Sequence, residues 1–283
     1  MKSVALVLEG GGLRGLYSAG VMDVMMENNI HVDCIIGVSA GALFGVNYKS
    51  HQIGRAIRYN KNYGADKRYM GLHSLITTGN IMNKEFCFDT LVNELDPFDY
   101  DTFKKSKIKF YAVVTNLKTG KAEYKLVEDM KNERDMELLR ASGSMPCVSK
   151  PVKIDDSVYL DGAIGDSIPV LKALEMKYDK VIVVTTRVDS YRMPHKKRPY
   201  AKVMYRKYPK FVETFINRDK MYNKTLEVIN ELEDEGKILV IKPTRLVKIS
   251  RVEKDPNIMQ EQYELGMADT KERLKDIKSY LKK

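Results

Sequence analysis

Apolar and polar positions alternate between two periods along this chain. Residues 3–8 form a short continuous apolar run that stops at Glu9 and a cluster of glycines, and they read as a buried strand. Leu16, Ala19, Val21, Val24 and Met25 then recur at helical spacing until Asn28-Asn29 ends the pattern. Residues 34–38 repeat the apolar run, meet Ser39 and pass into the small-residue stretch 40–46, which reads as a tightly packed helix. Strand, tight turn and helix therefore follow one another twice before residue 50. That alternation predicts an α/β fold, a mostly parallel sheet with helices on its faces.

Further strands are predicted over 109–115 and 122–127, joined by the turn residues Asn116-Leu117-Lys118-Thr119-Gly120. A helix follows over 133–142, then a short strand over 158–160 ending at Asp161-Gly162, a helix over 170–176 and a β-branched strand over 181–186. Beyond that point the composition shifts. Between Arg187 and Lys224 there are 12 basic residues against three acidic ones, and Tyr191, Tyr200, Tyr205, Tyr208, Phe211, Phe215 and Tyr222 are interleaved with them. Tyr205, Tyr208, Val212 and Phe215 keep helical spacing across 204–215, which points to core packing. One more strand is expected over 238–241 and a terminal helix from about 257 to the end. The predicted organisation is an α/β domain over 1–190 with a basic, largely helical extension over 191–283 packed on it.

Composition narrows the function classes. A chain of 283 residues, 43% hydrophobic and 30% charged, has enough apolar surface for a sizeable core, so disorder and fibrous repeats are poor explanations. The net charge of +10 favours partners that carry phosphate, either anionic lipid or nucleic acid. Cys34, Cys87 and Cys147 are widely spaced and odd in number, which writes neither a disulfide framework nor a metal site. The apolar run before Glu9 is too short for a secretory signal, and no later run is long enough to span a bilayer. A reducing, cytoplasmic setting fits this pattern, with peripheral contact at the inner membrane face.

Two glycine motifs carry the candidate chemistry. Gly10-Gly11-Gly12-Leu13-Arg14-Gly15 fits G-x-G-x-x-G between a strand and a helix, the pattern of a dinucleotide site. That reading asks for an acid at the carboxyl end of the second strand. Asp33 instead precedes the strand, at the other edge of the sheet, and the residue at the carboxyl end is Ser39. The same glycines alternatively point several backbone N–H groups into one cavity, as an oxyanion hole does, or serve only as a turn. Gly37-Val38-Ser39-Ala40-Gly41 is G-x-S-x-G, in the strand-to-helix setting that lifts a serine hydroxyl clear of the backbone. The alternative for this pentapeptide is a small-residue turn that lets helix and sheet pack.

A serine nucleophile needs a base. Of His31, His51, His73 and His195, only His195 follows a plausible acid, and it sits among Lys196, Lys197 and Arg198, where neighbouring cations disfavour an imidazolium. Asp161, at a strand end with Gly162 and Ala163 after it, is the other candidate, and its alternative is an ordinary β-turn aspartate.

Gly10 to Gly15, Gly37 to Gly41 and Asp161-Gly162-Ala163, in that order, resemble the three signature blocks of the patatin-like phospholipases. Ala141-Ser142 through Pro146 resembles a fourth block that these proteins carry between the last two. The resemblance spans residues 3 to 190. It implies a three-layer α/β/α fold and a Ser–Asp dyad that uses no histidine, metal or other cofactor. It further implies hydrolysis of acyl esters of glycerolipids, phospholipids among them. Carried over by position, Ser39 is the nucleophile and Asp161 the base. Gly10, Gly11, Gly12 and Ala40 then supply the oxyanion hole, with Arg14, Gly15, Gly37, Gly41 and Gly162 in support. The rival reading from the residues alone is a non-catalytic lipid- or nucleotide-binding protein. For the basic segment after 187, an anionic membrane fits a lipid hydrolase without further assumption, whereas nucleic acid has no recognisable binding module behind it.

Overall fold

The computed structural model describes residues 2–282. Its centre is an eight-stranded sheet: β1 (Val4–Leu8), β2 (Cys34–Val38), β3 (Lys109–Asn116), β4 (Ala122–Leu126), β5 (Val152–Ile154), β6 (Ser157–Asp161), β7 (Lys180–Val184) and β8 (Leu239–Ile241). The spatial order is β5-β6-β3-β2-β1-β7-β8, with β4 also paired to β3. Pairings among β3, β2, β1, β7 and β8 are parallel, and those of β4, β5 and β6 are antiparallel. The parallel strands are apolar at consecutive positions because both of their faces are covered.

Alternation along each strand divides the interior in two. Leu6, Leu8, Ile35, Ala112, Val114, Ile182 and Val184 face one layer, formed by the helices Leu16–Glu27, Ala40–Lys49 and Pro256–Glu272 among others. Ala5, Val7, Ile36, Val38, Val113, Val181 and Val183 face the other, where helices Val170–Glu175 and Arg218–Asp234 lie. The architecture is thus α/β/α, as the alternation of elements predicts.

Residues after 190 enter both outer layers and the sheet itself. Strand β8 extends the parallel set beyond β7. Helix Pro256–Glu272 crosses helix Leu16–Glu27 so closely that Gly20 lies against the Tyr263 backbone and Gly266 against that of Tyr17. Two buried bonds pin the crossing: Tyr263 Oη donates to Asp23 at 2.6 Å, and Tyr17 Oη donates to Asp269 at 3.0 Å.

The helical spacing across 204–215 is carried by two helices, Pro199–Met204 and Pro209–Ile216, because Pro209 starts a new one. A proline cannot continue a helix that needs its amide. The aromatics still pack as core, Tyr205, Phe211 and Phe215 with Leu117 and Leu160. The terminal helix is likewise two, Pro256–Glu272 and Leu274–Lys282, and at the break the Arg273 guanidinium donates to the Val240 carbonyl of β8.

Candidate active site

Strand β2 ends at Val38 and helix Ala40–Lys49 begins two residues on, so Ser39 alone must turn the chain. It does so at φ 53 and ψ −120, a region L residues seldom adopt, at a cost of order 1–3 kcal/mol. Its neighbours hold it there. The Ser39 N–H donates to Ser142 Oγ at 2.9 Å, and the Ser142 hydroxyl donates to the Val113 carbonyl at 2.7 Å. The turn also needs bare backbone on either side. A Cβ on Gly37 would stand 2.7 Å from Ala42 Cα, and one on Gly41 would stand 2.5 Å from the Leu8 carbonyl oxygen.

Asp161 arrives from the antiparallel side of the sheet. Its strand β6 pairs with β3, register Asp161 to Val114, while Val113 pairs with Val38 of β2. This places the end of β6 beside the turn at Ser39. Ser39 Oγ donates to Asp161 Oδ2 at 2.7 Å, and the two residues are only 8% and 3% exposed. Asp161 Oδ1 accepts from the Ala163 N–H at 2.8 Å, which fixes the carboxylate plane. Gly162 is required because the Val113 carbonyl occupies the space a Cβ would take. Arg218 then ties down the following loop, donating from Nε to the Ala163 carbonyl at 2.6 Å. Burial pushes the Asp161 carboxyl above the ordinary carboxylate range. The Ala163 N–H, the Ser39 hydroxyl and the charges of Arg218 and Arg251 pull it part of the way back.

The first glycine loop backs onto the same hydroxyl. A Cβ on Gly10 would come within 2.9 Å of Ser39 Cβ, and one on Gly15 within 2.9 Å of Ala40 Cβ. Gly12 takes φ +60 and runs under Arg251, whose carbonyl oxygen lies 2.6 Å from where a Cβ would stand. That carbonyl accepts the next amide, Leu13, at 3.1 Å. Among the described residues, the amides of Gly10, Gly11, Gly12 and Ala40 donate to no protein acceptor. Glu9 anchors the loop from behind, accepting from the Thr186 N–H at 2.5 Å and from Tyr222 Oη at 2.7 Å. Asp33 sits at the opposite edge, accepting the Val4 N–H at 2.8 Å, so no acid stands where a dinucleotide ribose would need one.

These groups share a cavity of about 590 Å³. The glycine loop, Ser39 and Asp161 line one wall, and Ile81, Met145 and Val148 add apolar surface. A larger cleft of about 800 Å³ near Phe88 and Met136 contains neither Ser39 nor Asp161. None of the four histidines lines the Ser39 cavity. His31 and His51 border a separate depression, His73 is exposed, and His195 bonds Asp219 at 2.8 Å through Nδ1.

The structure also brings in residues that sequence reasoning missed. Ser142 lies in the fourth motif block, but its bond to the Ser39 amide has no local signature. Arg187, Arg218 and Arg251 reach the cavity from the second half of the chain, alongside Arg14. Only their membership of a basic stretch distinguished the first two, and Arg251 had no signal at all.

A model of patatin-like phospholipases matches residues 6–174, and a model of a domain of unknown function, DUF6363, matches residues 208–282. The chain is 27% identical over 188 residues to the uncharacterized protein YjjU of Escherichia coli, covering 65% of this chain and 52% of that one. It is 27% identical over 196 residues to the lysophospholipase nte1 of Neurospora crassa, covering 65% of this chain and 12% of that protein. It is 23% identical over 208 residues to the probable lipid hydrolase 463L of Invertebrate iridescent virus 6, covering 66% and 71%. The chain therefore spans about half the length of YjjU and a small part of the fungal enzyme. The model match takes in more than half of the chain, including the glycine loop, Ser39 and Asp161, and the chain belongs to the patatin-like phospholipase family.

Proposed function

We propose that this chain is a serine acyl hydrolase that cleaves carboxylic ester bonds of glycerolipids, in the manner of a phospholipase A or lysophospholipase. The observation that carries the reading is the 2.7 Å bond from Ser39 Oγ to Asp161 Oδ2, on the wall of a cavity that no histidine lines. In this mechanism the Asp161 carboxylate accepts the Ser39 proton as Oγ attacks the ester carbonyl carbon. A carboxylate held above its ordinary range is a stronger base for that step than a solvated one. The carbonyl π electrons move to oxygen, and the free amides of Gly10, Gly11, Gly12 and Ala40 receive the resulting charge. The positive end of helix Ala40–Lys49 acts in the same direction. Collapse breaks the ester C–O bond, the leaving alkoxide takes the proton from Asp161, and an acyl group stays on Ser39. Water then repeats the sequence with Asp161 as base and releases the fatty acid.

Gly15, Gly37, Gly41 and Gly162 serve this chemistry by close packing, and Arg14 by its charge near the loop. We assign the dyad and the oxyanion amides to residues 1–190, with residues 191–283 as an extension that closes the cavity. The account predicts a burst of one p-nitrophenol per protein on mixing with p-nitrophenyl butyrate, followed by steady release. Rapid-mixing absorbance measures it, and no release above a buffer blank would count against the reading.

A peripheral contact with anionic membrane belongs to the same proposal. Helix Pro199–Met204 exposes Tyr200, Val203 and Met204 at 47%, 76% and 54%, next to Lys202, Arg206 and Lys207. Apolar side chains beside cations suit an anionic interface, where each cation adds about 1 kcal/mol near the surface. Sedimentation with vesicles is expected to show binding to anionic lipid that weakens as salt rises and little binding to neutral lipid. Equal binding to both, or to neither, removes the membrane contact.

A further inference from the structure

The Ser39 cavity is charged beyond what ester cleavage needs. Five guanidinium groups line it: Arg14 from the glycine loop, and Arg187, Arg198, Arg218 and Arg251 from the second half of the chain, with Lys196 beside them. Arg198 is paired with Asp219 at 3.3 Å, which leaves four guanidinium groups. None of the four forms an ion pair with a carboxylate among the described residues. Arg14 Nε is buried without a hydrogen-bond partner. Arg187 lies over the Tyr191 ring, 4.3 Å from its centroid, and Arg218 donates to two neutral acceptors, the Ala163 carbonyl and Ser167 Oγ. Arg251 holds the loop through its backbone carbonyl, which leaves its side chain for other work.

The two acids on the same walls are already spent. Glu9 accepts from Thr186 and Tyr222, and Asp161 accepts from Ser39 and Ala163. The cations also feel one another. Burial first, and then the charges of Arg187 and Arg251, lower the Arg14 guanidinium to about 10. Like charges gathered in a partly buried cavity destabilise the fold unless an anion joins them, and planar guanidinium forks match the oxygens of a phosphate.

Building on the acyl-hydrolase reading, we propose that Arg187 and Arg251, with Arg14, form a phosphate subsite beside Ser39, so that this protein selects acyl esters with an anionic phosphate head. The second half of the chain is then part of the substrate site, because it supplies two of the three cations. A choline head fits poorly: its quaternary ammonium would face the guanidinium groups, the Tyr191 ring is already covered by Arg187, and Glu9 is buried behind the loop. An uncharged head gains nothing from the cluster. Arg218 is left outside the subsite because its bonds hold the loop after Asp161.

The test uses the full chain and three substrates with one acyl chain: 1-acyl-glycerol 3-phosphate, 1-acyl-glycerophosphocholine and 1-monoacylglycerol. All are kept below their aggregation thresholds so that surface binding plays no part. The phosphate monoester is expected to exceed both others in kcat/KM by about tenfold or more, chiefly through a lower KM. Arg187→Gln and Arg251→Gln should each shrink that ratio at least about threefold through KM, more than they change the rate on monoacylglycerol. The wild-type ranking stands even if a variant folds poorly. Equal use of the three esters, or a preference for the choline head, overturns the subsite. Stimulation of monoacylglycerol hydrolysis by millimolar inorganic phosphate, without preference for the phosphate-headed ester, assigns the cations to a free anion and also overturns it. Fatty acid released from monoacylglycerol without any phosphate preference leaves the hydrolase reading intact. Release from none of the three overturns both.

Discussion

Replacing Ser39 with alanine is expected to lower kcat on any ester by at least about 10⁴-fold while the protein stays folded. In the proposed mechanism the hydroxyl is the attacking atom, and among the described residues no other serine or cysteine side chain bonds the Asp161 carboxylate. Stability gives a second readout at the same position. Ser39 sits at φ 53, where a side chain is strained and glycine is not. Ser39→Gly and Ser39→Ala both remove the oxygen, but glycine also releases the strain. Ser39→Gly should therefore exceed Ser39→Ala in stability by about 1 kcal/mol in urea denaturation, even after the entropy cost of glycine. A glycine variant less stable than the alanine variant would mean that the elbow is unstrained. Turnover surviving in either purified variant would remove Ser39 from the chemistry.

Asp161→Asn is expected to lower kcat by about 10³- to 10⁴-fold, and the double variant with Ser39→Ala should be little worse than either single one. Asparagine keeps an acceptor for the Ala163 N–H but cannot take the serine proton. In the wild type, kcat/KM should fall as pH drops through the raised pKa of Asp161, above the range of an exposed aspartate. Stability should respond in the opposite sense. A folded-state pKa raised above the unfolded value favours the fold below the unfolded pKa, and this contribution is lost as pH rises through the folded one. The asparagine variant pays no such cost. It should match the wild type in acid and gain on it as pH rises towards neutrality, measured as the difference in denaturation free energy between the two proteins. A variant less stable than wild type at neutral pH, with full activity, would mean that the carboxylate is a structural β-turn group.

The parts of the site that could be read in the sequence are those that are local in the chain. Gly10 to Gly15 and Gly37 to Gly41 each sit between a strand and a helix whose apolar periods mark their limits, so the loop and the elbow were legible within a residue or two. Asp161 was legible only as a strand-end acid, and its partner came from the order of the motifs. Contacts made across long separations left no trace. The Ser142 hydroxyl on the Ser39 amide and the Arg251 carbonyl over Gly12 depend on how β3 and the second half of the chain pack, and no spacing encodes that. Helix breaks were lost for a related reason. Apolar spacing runs through Pro209 and Arg273, but the proline ring and a side chain bound to the β8 carbonyl turn the chain there.

The central claim is that Ser39 is a nucleophile activated by Asp161 without a histidine. A fluorophosphonate probe followed by peptide mass mapping tests it most directly, in the wild type, in Ser39→Ala and in a variant with all four histidines replaced by glutamine. One adduct is expected per protein, on the peptide carrying Ser39, in the wild type and in the histidine-free variant, and none in Ser39→Ala. An adduct on a different residue, or one that disappears from a folded histidine-free variant, would contradict the account.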